Sequence, residues 1–398
     1  MKKMKKWMLV LVALFVSASA FSQTYTLDDV WQCLRNNQVP KAKKFMESIM
    51  ANNPDDAATW LMQANVNVNL YTYDQDRRKK DPSVALRYPT ALEDAYAAFM
   101  KAVELDPKVE PKTGMLGAVE GQKLLADPFY EKASAAAKKG KTEDALKYYQ
   151  LAANCYEIAK AKSNAAVCFL QMAIVHNQAG DKENYEKMLE KCIRTSPEVS
   201  EAAYVELYYL YKDKKDTVKC GEILAKAEKH FTGDKEVGLY EPMMDYYSTT
   251  GNTEKLLALC DKVIAAGDPK MVPICATYLT NAKSYAKAEQ LLKAELEKNP
   301  NNFELLKQMG YRYALEYYDI QDQRQAAMNA RQYEEATRLF QSPERKAAME
   351  NAHEWCEKAY QVNPDNLENN RILREMKILL GLTVPQELND KINARMQH

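Results

Sequence analysis

The residues of this sequence that are best suited to chemistry are its eight cysteines and four histidines, and their spacing completes no common reactive site. No two cysteines stand close enough for a CxxC redox pair or a zinc knuckle. His353 and Glu354 begin like the helix of a zinc protease, but Glu357 stands where the second histidine is needed. Residues 140–142, GKT, imitate the end of a phosphate loop without its earlier glycine. The sequence therefore predicts no catalytic residue, no metal site and no cofactor, and an enzyme is the least favoured class.

The composition of the chain narrows the remaining classes of fold and function. The chain has 398 residues, of which 46% are hydrophobic, so it can bury a sizeable core. Lys+Arg and Asp+Glu number 55 each, and this balance argues against nucleic acid or an anionic membrane as the main partner. Only 12 glycines, together with abundant alanine, lysine, glutamate and leucine, favour helix over strand.

The elements that position these residues are organised by a repeat. A small residue is followed by a bulky one four positions later and often by a proline twelve later, as at Ala42, Met46 and Pro54. Residues at this spacing share one face of a helix, where small side chains let a neighbouring helix approach closely. The shorter steps between copies are about 34 residues. The copies begin at Ala42, Ala95, Ala145, Tyr185, Cys220, Leu256, Ala288 and Ala352.

Other residues mark where the helices of each copy turn and end. Five positions before a copy begins, Gly140, Gly180 and Gly251 stand where a first helix must end, since glycine adopts the left-handed conformation at no steric cost. A proline ends the second helix because it cannot donate the next backbone hydrogen bond. Sixteen positions before a copy begins, the first helix carries an aromatic residue: Phe129, Phe169, Tyr204 or Tyr240.

The segment GKTEDALKYYQLA at 140–152 and the segments that end in LDP (105–107), KNP (298–300) and VNP (362–364) resemble the tetratricopeptide repeat family. The resemblance covers roughly residues 24–380 in about eight or nine units. It implies an all-α fold, a right-handed superhelical solenoid of antiparallel helix pairs whose first helices line a concave face. A bundle of helices of even length, which can mimic a period, is the alternative.

The expected domain organisation follows this resemblance. Residues 1–20 read as a signal peptide, and 21–382 form the repeat array, with insertions at about 71–90 and 316–346. The polar segment 383–398 is expected to form a C-terminal capping helix, because the ends of a repeat array need a polar cap.

The two insertions favour different structures. Segment 71–90 interleaves three tyrosines with five basic residues, which three aspartates offset. This pattern favours a solvated loop over a nucleic-acid surface. Segment 316–346 has no proline before Pro343 and is expected to lengthen the helices, with Tyr333 and Phe340 packing on their own repeat. Because long insertions often lie on the binding face, 71–90 is the better functional candidate.

The cysteines fall at helix positions that call for small, buried side chains. We expect free, buried thiols, because side chains in a packed seam do not point at each other; disulfides stay possible in an exported chain with an even number of cysteines. Second helices carry Cys192, Cys220, Cys260 and Cys356, and first helices carry Cys33, Cys168 and Cys275.

The amino terminus predicts export. Four lysines are followed by an apolar run and by Ala18-Ser19-Ala20, the layout of a secretory signal peptide. The run is too short to span a bilayer comfortably, and no later segment is long and apolar enough to do so. We expect a mature chain without a transmembrane segment in the bacterial periplasm, or alternatively outside the cell or at its surface.

In the family, ligand contacts come from first-helix residues that face the concave groove. The resemblance therefore implies a groove that binds a protein or peptide. Together with the export signal and the missing catalytic constellation, it indicates a non-enzymatic exported scaffold, with an envelope complex among its candidate settings. The alternative is a carbohydrate- or small-molecule-binding component of a nutrient-uptake system, since the 25 tyrosines offer stacking faces. Glu241 and Thr277 also stand at first-helix positions that the family register places in the groove. The residues expected to bind the partner are Trp31, Asn65, Asn69, Tyr130, Asn177, Tyr209, Lys212, Asp245, Lys307 and Tyr311.

Overall fold

Every regular element in the part of the chain that the structure describes is helical, which confirms the all-α prediction. The chain divides into two compact units, Met1–Ala203 and Tyr204–His398. The expected signal peptide, 1–20, lies outside the described residues. The computed structural model describes residues 25–112, 114–231, 238–266 and 270–394.

The first unit is a series of helices that pack against their neighbours in sequence. The pairs α1/α2, α3/α4, α5/α6 and α7/α8 each form a hairpin, and α2, α4 and α6 also contact the helix that follows. A single 3₁₀ turn, Pro197–Val199, follows the last pair. The helices are α1 Leu27–Arg35, α2 Val39–Asn52, α3 Ala57–Lys80, α4 Ala91–Leu105, α5 Ala118–Lys138, α6 Thr142–Ile158, α7 Lys162–Gln178 and α8 Lys182–Thr195.

The second unit continues the same arrangement. Four of its pairs are α11/α12, α13/α14, α15/α17 and α18/α19, with the short α16 inserted in the third of these, and the first helices α11, α13, α15 and α18 contact one another in that order. The pair α9/α10 precedes them, and there the Cys220 thiol of α10 donates to the Tyr208 carbonyl of α9 at 3.7 Å. The helices are α9 Glu201–Asp213, α10 Thr217–Ala227, α11 Tyr240–Thr249, α12 Thr253–Ala265, α13 Met271–Asn281, α14 Tyr285–Lys298, α15 Phe303–Asn329, α16 Tyr333–Phe340, α17 Pro343–Val362, α18 Leu367–Leu379 and α19 Gln386–Ala394.

The reversals between helices depend on one residue in the left-handed region. Gly140, Gly180 and Gly251 have φ angles of 68°, 78° and 70°, as predicted. At the first of these reversals, the Gly140 N–H donates to the carbonyl of Ala137 at 3.0 Å, which satisfies a carbonyl at the end of α5. Non-glycine residues adopt the same conformation at other reversals: Asn37, Lys160, Lys215, Lys283 and Arg331.

The repeat stripe is the core of each hairpin. The small residues Ala42, Ala95, Ala145, Ala288 and Ala352 are all fully buried, so the facing helices lie close together. The predicted stops also hold: α2, α4, α8, α14 and α17 each end two residues before a proline. Both findings confirm the predicted register.

The prediction of a single solvated loop over 71–90 is wrong. Helix α3 continues to Lys80, so only the second half of the segment is a connection. The carboxylate of Asp74, 1% exposed, accepts a hydrogen bond from the Tyr88 N–H at 2.6 Å and another from Arg77 Nη1 at 3.0 Å. These bonds hold the connection against the helix, which explains how charged residues are accommodated there.

The insertion at 316–346 does lengthen α15 and α17, as expected, but it also contains α16, which the sequence did not reveal. Tyr317 packs in the core of the second unit. Tyr333 is 60% exposed, which contradicts the prediction that it packs on its own repeat. Phe340 is 47% exposed but does pack on its own repeat, against Arg324 and Arg345. The guanidinium of Arg345 lies 4.6 Å from the Phe340 ring centroid, and a cation can cover an aromatic ring in this way without burying it in the core.

Candidate functional site

Two of the residues expected to contact a partner, Trp31 and Asn65, are contacted by the chain itself. Asn65 is 2% exposed. Its Nδ2 donates to the Leu116 carbonyl at 3.0 Å, and its Oδ1 accepts from the Leu116 N–H at 2.9 Å. The Trp31 ring packs on Gly114, where a Cβ would lie 2.9 Å from Trp31 Cζ2. The connection between α4 and α5 therefore covers Asn65, which has no surface left for a partner. The connection packs on only part of the Trp31 ring, which is half-buried, so partner binding by Trp31 stays a prediction.

The other predicted residues of the first unit are each engaged within their own helix pair. Asn69 donates to the carbonyl one turn earlier in α3, at 2.8 Å. The Tyr130 ring on α5 lies 5.4 Å from that of Tyr149 on α6. Asn177 is exposed and accepts a hydrogen bond from Lys182 at 2.6 Å. These residues are not drawn into one constellation.

The second unit brings Tyr209, Lys212 and Asp245 together. Asp245 Oδ2 on α11 accepts a hydrogen bond from Tyr208 Oη at 2.5 Å and lies 2.7 Å from Lys212 Nζ, both on α9. The Tyr209 ring packs against that of Tyr208, with centroids 5.3 Å apart. These contacts join the first helices of two consecutive pairs.

Two carboxylates and two phenols form the centre of this site, which we call the tyrosine–acid cluster: Tyr209, Glu241, Asp245 and Tyr278. Burial raises the pKa of Tyr209, and the negative charges of Glu241 and Asp245 raise that pKa further. The pKa of Tyr278 is raised by burial and by the same two carboxylates. Both phenols are therefore neutral at physiological pH, and the cluster is electronegative, with the ammonium of Lys212 at its edge.

The row of first helices continues past the cluster to Lys307 and Tyr311. Tyr311 Oη on α15 donates to Asn281 Oδ1 on α13 at 3.2 Å. Lys307 pairs with Glu304 at 2.8 Å and with Glu368 of α18 at 3.4 Å, and its side chain is only 14% exposed. Burial lowers the pKa of Lys307, but the two carboxylates outweigh this effect and the pKa is raised. Lys307 is thus a paired cation that ties neighbouring first helices together.

The predicted register missed two polar residues of this row, Tyr278 and Asn281. The register placed Thr277 in the groove, but its hydroxyl donates to the Pro273 carbonyl at 2.8 Å within α13. The residue type could have indicated Tyr278. It follows Thr277 in the sequence, and a tyrosine side chain reaches farther than a threonine side chain. We call Tyr209, Glu241, Asp245, Tyr278, Asn281 and Tyr311 together the first-helix face of the second unit.

Residues elsewhere in the described ranges add no separate chemical centre. No group of histidine, cysteine, aspartate or glutamate side chains there is arranged to hold a metal ion. All eight cysteines are buried and free, as expected. None of the helices within those ranges combines the length and the apolarity that crossing a membrane requires.

The stacked antiparallel hairpins, with small residues in their seams and left-handed reversals, are a helical repeat fold of the tetratricopeptide type. No protein-family model matches the chain, and the curated protein sequences contain no match.

Solved structures are similar to the chain only at low identity. A chain of the Naa15/Naa10 complex bound to HypK-THB is 13% identical, with a TM-score of 0.33; the match covers 92% of this chain and 62% of that one. Yeast Tom70 is 12% identical, with a TM-score of 0.36 and coverages of 92% and 88%. A TPR repeats protein from Bacteroides fragilis is 10% identical, with a TM-score of 0.25 and coverages of 79% and 98%. At these scores the fold assignment rests on the hairpins themselves.

Proposed function

We propose that the protein is an exported, non-enzymatic scaffold that binds an extended peptide segment of a protein partner along the first-helix face of the second unit. The supporting observation comes from the first unit, where first helices already hold a segment of the chain itself. There the Asn65 amide pairs with both backbone groups of Leu116, and Trp31 covers Gly114. An amide that donates and accepts at one backbone unit recognises peptide whatever its side chain.

The charge of the second-unit face defines the partner's chemistry. Asp245 is already paired with Lys212, but Glu241 is exposed and has no lysine or arginine within ion-pair distance among the described residues. A partner lysine or arginine beside Glu241 would also lie near the rings of Tyr209 and Tyr278, where cation–π attraction adds to the ion pair. We therefore propose a peptide with a basic residue flanked by apolar ones.

The cellular location of the protein is part of the same proposal. A lysine-rich start, an apolar run and a small-residue cleavage motif support export to the periplasm, with the cell surface as the alternative. Fusion of residues 1–24 to a reporter that is active only after export tests this step, and a reporter that stays inactive would contradict it.

A displayed library of random peptides, panned on the mature chain, tests the binding proposal. We expect enriched sequences to contain lysine or arginine next to aromatic or aliphatic residues. For such a peptide, Tyr209→Ala should weaken binding about tenfold or more, as truncation of an aromatic anchor does. Glu241→Gln should weaken it several-fold and reduce its salt dependence.

The matched control is Glu222→Gln, which removes an exposed carboxylate from α10, the second helix of the pair that carries Tyr209. It should leave peptide affinity unchanged. If Glu222→Gln and Glu241→Gln weaken binding equally, or if no basic residue is enriched, the proposed face is not the binding site.

Carbohydrate binding is the second candidate, and one observation favours it. A cleft of about 300 Å³ in the first unit lies between the 71–90 segment and α5, and its lining includes Tyr71, Tyr88, Arg78 and Glu131. Aromatic faces with polar groups of both signs suit a neutral, hydroxylated ring. Binding on a glycan array that Arg78→Ala abolishes would promote this function over peptide binding.

A further inference from the structure

The second unit has a cleft of about 610 Å³ between α14 and α17. Its apolar lining includes Leu296 and Leu306, which are buried, Trp355, which is partly buried, and Val362, which is exposed. The volume falls within the range of small-molecule sites. Because α14 and α17 are second helices, this cleft is separate from the first-helix face proposed to bind peptide.

Two lysines line the cleft, one on each of its second helices. Lys293 stands five residues after Ala288, and Lys358 stands six after Ala352, the corresponding residues of two consecutive repeats. Since second helices of consecutive pairs run in the same direction, the two lysines stand at nearly the same level along their helices. Lys358 Nζ is also 4.0 Å from the centroid of the Trp355 ring. The positive charges of the two lysines therefore border the apolar wall of the cleft.

Each lysine pairs with a glutamate on its own helix. Glu354 is 58% exposed, whereas Glu289 is 22% exposed and also pairs with Arg312. Lys293 pairs with Glu289 at 2.6 Å, and Lys358 pairs with Glu354 at 2.7 Å, each one turn back. The lysine side chains are 55% and 46% exposed, and an exposed pair such as Lys358–Glu354 contributes little. A ligand carboxylate at the mouth of an apolar cleft would be less hydrated, and its attraction to both lysines correspondingly stronger. Glu297 also lines the cleft, one turn further along α14 than Lys293.

We propose that this cleft binds an amphipathic carboxylate, with the apolar chain against Leu296, Leu306 and Trp355 and the carboxylate between Lys293 and Lys358. Binding of this ligand requires both the apolar wall and the two lysines. The wall contacts the ligand's hydrocarbon chain, and the lysines favour a carboxylate over the corresponding alcohol.

Calorimetric titration of the mature chain with octanoate and with octanol, below the concentration at which octanoate forms micelles, tests the proposal. We expect one octanoate site and about tenfold weaker binding of octanol, as loss of a charge-assisted contact predicts. Replacing both lysines by methionine should remove this preference while octanol binding persists. The matched control is Lys187→Met, which breaks a lysine–glutamate pair of the same spacing in α8, and it should change neither affinity.

Val362→Phe provides an independent variant, because it places a larger ring at an exposed position of the wall and should weaken both ligands without disturbing the core. Equal affinities for octanoate and octanol, or octanoate binding that Val362→Phe leaves intact, would overturn the proposal. A dimer that Val362→Phe dissociates and octanoate does not would also overturn it, since the cleft would then belong to a second copy of the chain.

Discussion

Replacing Asn65 by alanine should destabilise the first unit rather than weaken the binding of a partner. The side chain is buried in α3 and makes three hydrogen bonds, one to the Leu61 carbonyl and two to the backbone of Leu116, which is 51 residues away in sequence. Alanine removes all three and leaves the Leu116 N–H without its acceptor. The connection between α4 and α5 then loses its main polar attachment to the first helices.

The expected magnitude follows from these bonds. Each of the two bonds to Leu116 contributes about 1 kcal/mol net, and a backbone group left partly buried without a partner adds about 1 kcal/mol or more. The bond to Leu61 is less important, because that carbonyl also belongs to the helix. We therefore expect Asn65→Ala to lower the free energy of unfolding by about 2–4 kcal/mol.

Hydrogen exchange measures this effect most directly, because repeat units can unfold separately and a global melting curve can dilute a local change. The amide of Leu116 should exchange about thirtyfold faster or more in the variant, as a loss of about 2 kcal/mol implies. Urea unfolding followed by circular dichroism should show the loss for the unit that contains α3.

Asn69→Ala is the matched control, since Asn69 lies one turn later, is half-buried and makes a single bond within its own helix. It should change stability by less than about 0.5 kcal/mol. If Asn65→Ala leaves both the stability and the exchange of the Leu116 amide unchanged and instead weakens peptide binding, then Asn65 is a partner contact and the reasoning is refuted.

Three further predictions concern stability and reactivity. Gly310→Ala should cost about 1–3 kcal/mol in thermal unfolding, because its Cβ would lie 2.4 Å from Cys356 Sγ; a neutral result would contradict the close helix approach. Burial acts to raise the pKa of Glu93, but hydrogen bonds from Lys132 and Tyr148 outweigh it, so the pKa is lowered from 4.5. Glu93→Gln should therefore be less stable by under about 1 kcal/mol near neutral pH, with the difference vanishing as acid titrates the wild type through that lowered pKa. The eight buried thiols should react slowly with Ellman's reagent in the native chain and completely in denaturant, since burial raises the pKa of Cys356 to about 12; fast native reaction would contradict this.

The repeat could be predicted from the sequence because its requirements are local. Gly140 marks a reversal since a left-handed residue is needed there, and Ala288 marks a seam since nothing larger fits between close helices. The reversals at Lys160 and Lys283 could not be recognised in this way. Their φ angles of 57° and 60° are imposed on residues that pay a steric cost, so the residue type carries no signal.

The residues of a candidate binding face are harder to predict, because a helical register says which face a residue occupies but not what covers that face. Asn65 and Tyr209 both have the register of a groove residue. The first is covered by a segment 51 residues away, whereas the second lies beside carboxylates of the next first helix. Such long-range contacts depend on the path of a connection between helices, which no periodic pattern encodes.

The covered face of the first unit limits where a partner can bind. The connection that Asn65 holds is tethered at both ends, so it competes with any free peptide at an effective concentration of about millimolar or higher. A free peptide that makes the same two bonds to Asn65 and the same contact with Trp31 would lose that competition at ordinary concentrations. In the described residues, no side-chain amide binds a backbone segment of the chain onto the first-helix face of the second unit in this way. Glu241 on that face has no cationic partner among those residues. Replacing Tyr209 and Glu241 should therefore weaken peptide binding even though the face in the first unit is intact.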